Sequence, residues 1–285
     1  VSNRKISFKR KNRYRPLWVE ITGLILTISI FLLPFYFLVV NAGKNSEDSF
    51  RLDLTPPKDW KLLENFKTVL MDNNWELVRA TKNSFIMTLF SVFFLVIIAG
   101  MTGFILHRKR DRISKVASVL ILTALVVPPA IVPTIWVLQR LGIYKTMHGM
   151  VMIQVAYGLA FAVLIFKNFI GTIPKEIDEA AIIDGCTGWN LYFRIIFPLL
   201  RPVTIAVGII ATAAIFNDFT NPLYYLPGNE NITLQQTLFN YISRYLTRYN
   251  LLFTDILYIT LFPLIAFILF NKKIVAGMTA GAIKG

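Results

Sequence analysis

The chain has 285 residues, 55% of them hydrophobic and 16% charged, with a net charge of +14. Its mean hydropathy is +0.57, too apolar for a water-soluble domain, and it is too long for a single anchor, so the composition points to an all-α, polytopic membrane protein. The positive charge does not signal nucleic acid, because it gathers at the ends of apolar runs instead of along a polar face.

Residues 1–16 carry seven of the thirty Lys/Arg and read as a basic cytoplasmic N-terminus. A first transmembrane helix is expected over 17–40, entered at Trp18 and free of charge between Ile21 and Val40. It is too long for the apolar region of a cleavable signal, so a retained helix is expected. An external loop follows over 41–82, broken by Thr55-Pro56-Pro57 and then placing Leu62, Leu63, Phe66, Val69 and Leu70 at helical spacing. Such an amphipathic helix lies along the outer membrane face or supports a docking partner, or simply packs on the bundle.

Residues 83–271 form the transmembrane core, with apolar runs at 83–106, 116–138, 149–170, 199–220 and 252–271, for six spans in all. With the N-terminus inside, 19 of the 30 Lys/Arg fall on or beside the inner segments, five of them in 108–115. That count puts segment 171–198 and the C-terminal tail 272–285 in the cytoplasm as well.

Segment 171–198 is polar and jointed. Pro174 suits a first helical turn, and Glu176, Asp178 and Glu179 place negative charge at that N-terminus. Ile177, Ala180, Ala181 and Asp184 then share a face whose small side chains permit close approach. Gly185 can take the positive φ that ends the helix, and Thr187 can cap a second short helix running through Trp189, Leu191 and Phe193 toward Pro198. The product is an elbow of two helices at the membrane surface.

Glu179, Ala180, Ala181, Gly185, Ile195 and Pro198 fall at the spacing of the cytoplasmic coupling motif of binding-protein-dependent ABC importers, with Phe197 where that family usually has Leu. The chain is similar to the permease subunits of those importers. The small-residue tail 276–285 and the stretch FNDFTNPLYYL at 216–226 resemble the smaller permease of carbohydrate importers of the maltose-transporter type. The resemblance covers residues 83–285, and the N-terminal third matches only in layout. It implies an ABC importer permease fold with a cytoplasmic coupling helix, in the cytoplasmic membrane of a bacterium or archaeon, with both termini inside. It further implies a related second permease subunit, two ATP-binding subunits and an external substrate-binding protein, with Glu179 as a charged or hydrogen-bonded anchor, Ala180 and Ala181 as close-packing residues and Gly185 as the joint. The tail itself reads as a poor helix, suited to an extended strand reaching into a partner.

The chain contains no P-loop: its Gly43-Lys44 pair is preceded at the first glycine position by Leu38. ATP and Mg are therefore expected on partner subunits, with no cofactor in this chain and no enzyme activity of its own. The lone Cys186 excludes an intrachain disulfide, and His107 and His148 have no neighbouring ligand set, so no metal is implied. A self-contained carrier would need ionisable groups within its spans, and apart from positions at span ends only Asp218 lies there. The expected cargo is a carbohydrate, an oligosaccharide in particular, with a polyol or glycerol-phosphate as the alternative. Neutral, hydroxyl-rich ligands are held by aromatic faces and amides, which makes Gln154, Tyr157, Asn217, Asn221 and Tyr224 candidates for the substrate path. For Asn217 an interhelical hydrogen bond that holds the bundle competes with that role.

Overall fold

A computed structural model describes residues 17–242 and 247–282, with side chains to 269. The basic segment 1–16 and the last three residues of the tail lie outside the described residues. Every regular element described is helical.

The first helix, α1 (Leu17–Ala42), is strongly apolar, with Glu20 in its first turn as its one charged residue, and contains a π turn at Ile28–Leu32. Residues 17–36 are all exposed, and full burial begins only at Val40 and Asn41. The loop beyond it is pinned by polar groups. Buried Lys44 donates from Nζ to Asn41 Oδ1 (3.0 Å) and Asp53 Oδ1 (2.6 Å). The Asn65 amide donates to the carbonyls of Ala42 (2.8 Å) and Lys44 (2.9 Å) and accepts from Asn250 (3.0 Å). Paired in this way, the Lys44 ammonium and the Asn65 amide avoid the penalty of leaving water unsatisfied.

Helix α2 (Leu62–Arg108) holds both the amphipathic segment and the second span. They meet at a kink where Asp72 is extended and Asn73, Asn74 and Trp75 all adopt left-handed φ values of 47°, 56° and 61°. Asparagine tolerates that region, whereas Trp75 is held there against steric cost. The amphipathic part packs on the bundle: Val69 is buried with Leu77, Phe216 and Ile259. Its buried face is not quite the expected one, since Leu63 is 84% exposed and Asn65 is buried. An i, i+3, i+4, i+7 register through Leu62, Asn65, Phe66 and Val69 puts a polar residue inside because its partners wait there.

The expected span 116–138 is divided into α3 (Arg112–Val126) and α4 (Ile131–Arg140). Pro128 and Pro129 each bar helical geometry to the residue before them, and Val127 and Ala130 are extended. Helix α5 (Met147–Ile170) runs unbroken and packs along α2. Gly103 makes this possible, as a Cβ there would lie 2.9 Å from both Lys167 N and Phe166 Cβ. Met87, Leu95, Ala99, Val163, Phe166 and Ile196 fill the core where these helices meet the later ones.

After α6 (Glu176–Ile183), α7 (Gly188–Leu199) bends by 78° into α8 (Arg201–Phe216). Pro202 has no N–H for the carbonyl of Pro198, and its ring crowds that carbonyl, so the ladder parts there. A short α9 (Thr220–Tyr225) and a 3-10 turn at Leu234–Tyr241 lead to α10 (Tyr249–Ala282). Ser84 Oγ accepts from Leu234 N (2.8 Å), and Thr237 donates to buried Asp255 (2.8 Å), fixing this connection to α2 and α10.

Among the described residues, four helices are long and apolar enough to cross a membrane, or five if the bent α7–α8 pair counts as one span. The described tail differs from the expected extended strand, because α10 continues to Ala282. Ala276, Met278, Ala280 and Ala282 are good helix formers, and the roughly 1 kcal/mol cost of each intervening glycine does not end the helix.

Candidate functional site

Two places gather the candidate residues: the α6–α7 elbow and a cavity between α5 and α8. At the elbow, α6 ends in a hydrogen-bonded glycine turn. Gly185 N donates to Ile182 O (3.0 Å) and Cys186 N to Ala181 O (2.9 Å), with Gly185 at φ +85°. This is the double closure of a Schellman stop, which needs a left-handed residue at that position. Gly188 is also left-handed, at φ +54°. Thr187 stands at the start of α7, but its side chain makes no capping bond.

Only part of the expected small-residue face of α6 points inward. Ala181 is buried and Ile177 half-buried, whereas Ala180, Asp184 and Glu179 are exposed. The inner face is completed by Asp178, 8% exposed, which receives Arg108 from the end of α2. Arg108 Nε donates to Asp178 Oδ2 (2.5 Å), and Nη2 donates to Oδ1 (3.3 Å) and to the Ile173 carbonyl (3.1 Å). A planar guanidinium across a carboxylate fixes direction as well as distance. Sequence reasoning missed this clamp, since the two residues are 70 positions apart and no local spacing joins them.

The outer face of the elbow has no partner among the described residues. Ile182 and Ile183 are 51% and 85% exposed, and Trp189 is 67% exposed and stacked on Phe193. Ile195 is half-buried and Pro198 exposed, at the far end of α7 just before the bend.

The cavity, of about 320 Å3, lies between α5 and α8 with Leu95 of α2 behind it. Its walls are apolar, and its polar end comprises Gln154, Tyr157, Asp218 and Asn221. Asp218 Oδ2 accepts from Gln154 Nε2 (2.6 Å) and from Asn221 Nδ2 (2.6 Å), while Oδ1 accepts from Asn221 N (3.1 Å). The Tyr157 and Tyr225 hydroxyls meet at 2.7 Å. Burial, together with the adjacent Tyr157 hydroxyl, pushes the Tyr225 phenol up to about 12.

Of the five path candidates, the structure brings Gln154, Tyr157 and Asn221 together and separates the other two. Asn217 faces a different, largely apolar cavity of about 680 Å3 on the opposite side of α8. It donates to the Ala213 carbonyl of its own helix (2.9 Å), so the hydrogen bond found there is not an interhelical one. Tyr224 is 42% exposed and contributes its carbonyl, which accepts from the Tyr144 hydroxyl (3.2 Å). Asp218, the acid already singled out inside an apolar run, is the group that holds the Gln154 and Asn221 amides.

Comparison with known proteins gives one consistent family. The pattern described as "Binding-protein-dependent transport system inner membrane component" matches residues 84–277. The probable starch degradation products transport system permease protein AmyC of Thermoanaerobacterium thermosulfurigenes is 28% identical over 277 residues, covering 96% of this chain and 99% of its own. The arabinooligosaccharides transport system permease protein AraQ of Bacillus subtilis is 26% identical, with 90% of this chain and 92% of its own covered. Among solved structures, a chain of a bacterial ABC transporter involved in the import of the acidic polysaccharide alginate superposes with a TM-score of 0.76 at 16% identity, over 94% of this chain and 99% of that one.

Proposed function

The chain belongs to the family of inner membrane components of binding-protein-dependent transport systems, and on that premise we propose that it is the membrane-spanning permease subunit of an ABC importer for a carbohydrate, an oligosaccharide in particular. The observation that carries the reading is the unpartnered outer face of α6, held in a fixed orientation by the Arg108–Asp178 clamp. Relatives along nearly the whole chain are named for starch products and arabinooligosaccharides, which favours sugar over the polyol or glycerol-phosphate alternative.

In this reading the elbow seats on an ATP-binding subunit. Glu179, Ala180, Asp184 and the exposed isoleucines form the contact, Ala181 packs the helix onto the bundle, Gly185 is the joint, and Ile195 and Pro198 carry the displacement into α8. The complete machine has a second permease, two ATP-binding subunits that hold ATP and Mg, and an external substrate-binding protein. ATP-driven closure draws the elbows together and opens the path outward, and hydrolysis resets it. Both termini and segment 171–198 face the cytoplasm, loops 41–82 and 221–251 face outward, and α3 and α4 together supply a broken crossing that completes six.

Affinity capture of this chain from detergent-solubilised membranes tests the proposal. An ATP-binding subunit and a second permease should co-elute, and the reconstituted complex should take up a neutral oligosaccharide only with ATP and the binding protein present. Uptake by this chain alone, without ATP, would instead establish a self-contained carrier.

A further inference from the structure

We propose that Asp218 sets the charge selectivity of the cavity between α5 and α8, making it a compartment for uncharged polyhydroxy ligands that turns away carboxylated sugars. The proposal deepens the carbohydrate reading above and rests on it for the identity of the cargo.

A carboxylate donates nothing, so both groups that approach Asp218 Oδ2 at 2.6 Å must be amide NH2 groups. That fixes the orientation of Gln154 and Asn221, which would otherwise be free to flip. Each amide spends one of its two N–H donors on Asp218 and has its carbonyl oxygen left over, and neither oxygen has a partner among the described residues. The polar end of the cavity therefore presents more acceptors than donors: Gln154 Oε1, Asn221 Oδ1 and the remaining lone pairs of the carboxylate, against one N–H left on each amide. The Tyr157 hydroxyl is engaged with Tyr225.

Acceptors are met by O–H donors, and a sugar ring carries several. A uronate or phosphate would bring a second negative charge toward Asp218 with no cation to offset it, as no lysine or arginine lines the cavity. Its walls include Leu95, Phe161, Val207 and Ile210, apolar groups that offer nothing to offset the repulsion. Such a filter works by penalising the wrong ligand, and it needs only one fixed charge.

The test uses the full complex, with Cys186→Ser in this chain and the partners' thiols replaced, and a single thiol placed on the cavity wall by Phe161→Cys. Its modification rates with a cationic (trimethylammonium-ethyl) and an anionic (sulfonato-ethyl) methanethiosulfonate are compared, with and without ATP and the binding protein. With Asp218 present, the cationic-to-anionic ratio should exceed that for a free thiol by about tenfold. Asp218→Asn should bring it back to the free-thiol value, and Asp218→Glu should retain it. An unchanged ratio in Asp218→Asn, or no modification by either reagent in any state, overturns the proposal. A neutral trisaccharide such as maltotriose, added at saturation, should slow labelling, whereas its uronate counterpart trigalacturonate should not. Charge selectivity that depends on Asp218, with no protection from any of a panel of neutral oligosaccharides, would sink the carbohydrate reading while leaving the filter standing.

Discussion

Arg108 at the end of α2 and Asp178 on α6 form a two-toothed ion pair, Nε to Oδ2 at 2.5 Å and Nη2 to Oδ1 at 3.3 Å, that joins the longest helix of the bundle to the elbow. Both side chains are close to 90% buried, so the pair excludes competing water. The elbow cannot move without moving α2, or without breaking this bond.

Removing either partner leaves an uncompensated, largely buried charge, and about 3 kcal/mol of local stability should be lost. Arg108→Ala and Asp178→Ala are expected to insert into the membrane but to give low transport per assembled complex, with ATP hydrolysis no longer stimulated by the binding protein. Arg108→Lys should rescue partially, because an ammonium cannot span both carboxylate oxygens. Complex yield, ATPase activity and uptake from one preparation check this. Full stimulation in Asp178→Ala would remove the clamp from the coupling route.

Gly185 gives a different kind of sensitivity. A Cβ there meets nothing within 4 Å, so its requirement is for backbone conformation alone. Gly185→Val should cost about 1–2 kcal/mol through the left-handed φ, while Gly185→Asn should cost much less. Uptake should fall in the order Gly, Asn, Val at equal membrane abundance. Equal loss in Asn and Val would mean that the site needs a bare backbone against a partner, as at a tight docking contact.

The two asparagines near the end of α8 should now behave oppositely. Asn217 is exposed and bonded to its own helix, so Asn217→Ala is expected to stay within about 0.5 kcal/mol of wild type and to transport normally. Asn221→Leu removes a bond to a carboxylate worth about 1.5–3 kcal/mol and frees Asp218 to reorient. Thermal unfolding and sugar uptake of the two variants, measured side by side, decide it. A large transport defect in Asn217→Ala would return that residue to the path.

The elbow was legible in the sequence because its signals are local: an acidic first turn and a glycine stop lie within a dozen residues, although Pro174 falls just before the helix, which starts at Glu176, and not in its first turn. The apolar spans were legible by composition, but 116–138 was not read as broken, because hydropathy averaging passes over the Pro128-Pro129 pair that interrupts it. Asn65 illustrates the other limit. Its place on the buried face is set by the carbonyls of Ala42 and Lys44 and by Asn250, groups 21 to 185 positions away that no periodicity in its own helix encodes. The same holds for Gln154 and Asp218, where the sequence supplied the residue types and only the fold paired them.

Site-specific photocrosslinking in native membranes shows which protein meets the outer face of the elbow. Benzoylphenylalanine at Ile183, 85% exposed on the outer face of α6, is compared with the same group at Leu63, 84% exposed at the opposite end of α2. Ile183 should yield one main adduct, with the ATP-binding subunit, and Leu63 none with it. An adduct between Leu63 and the ATP-binding subunit, with Ile183 silent, would contradict both the coupling role of the elbow and the orientation of the chain in the membrane.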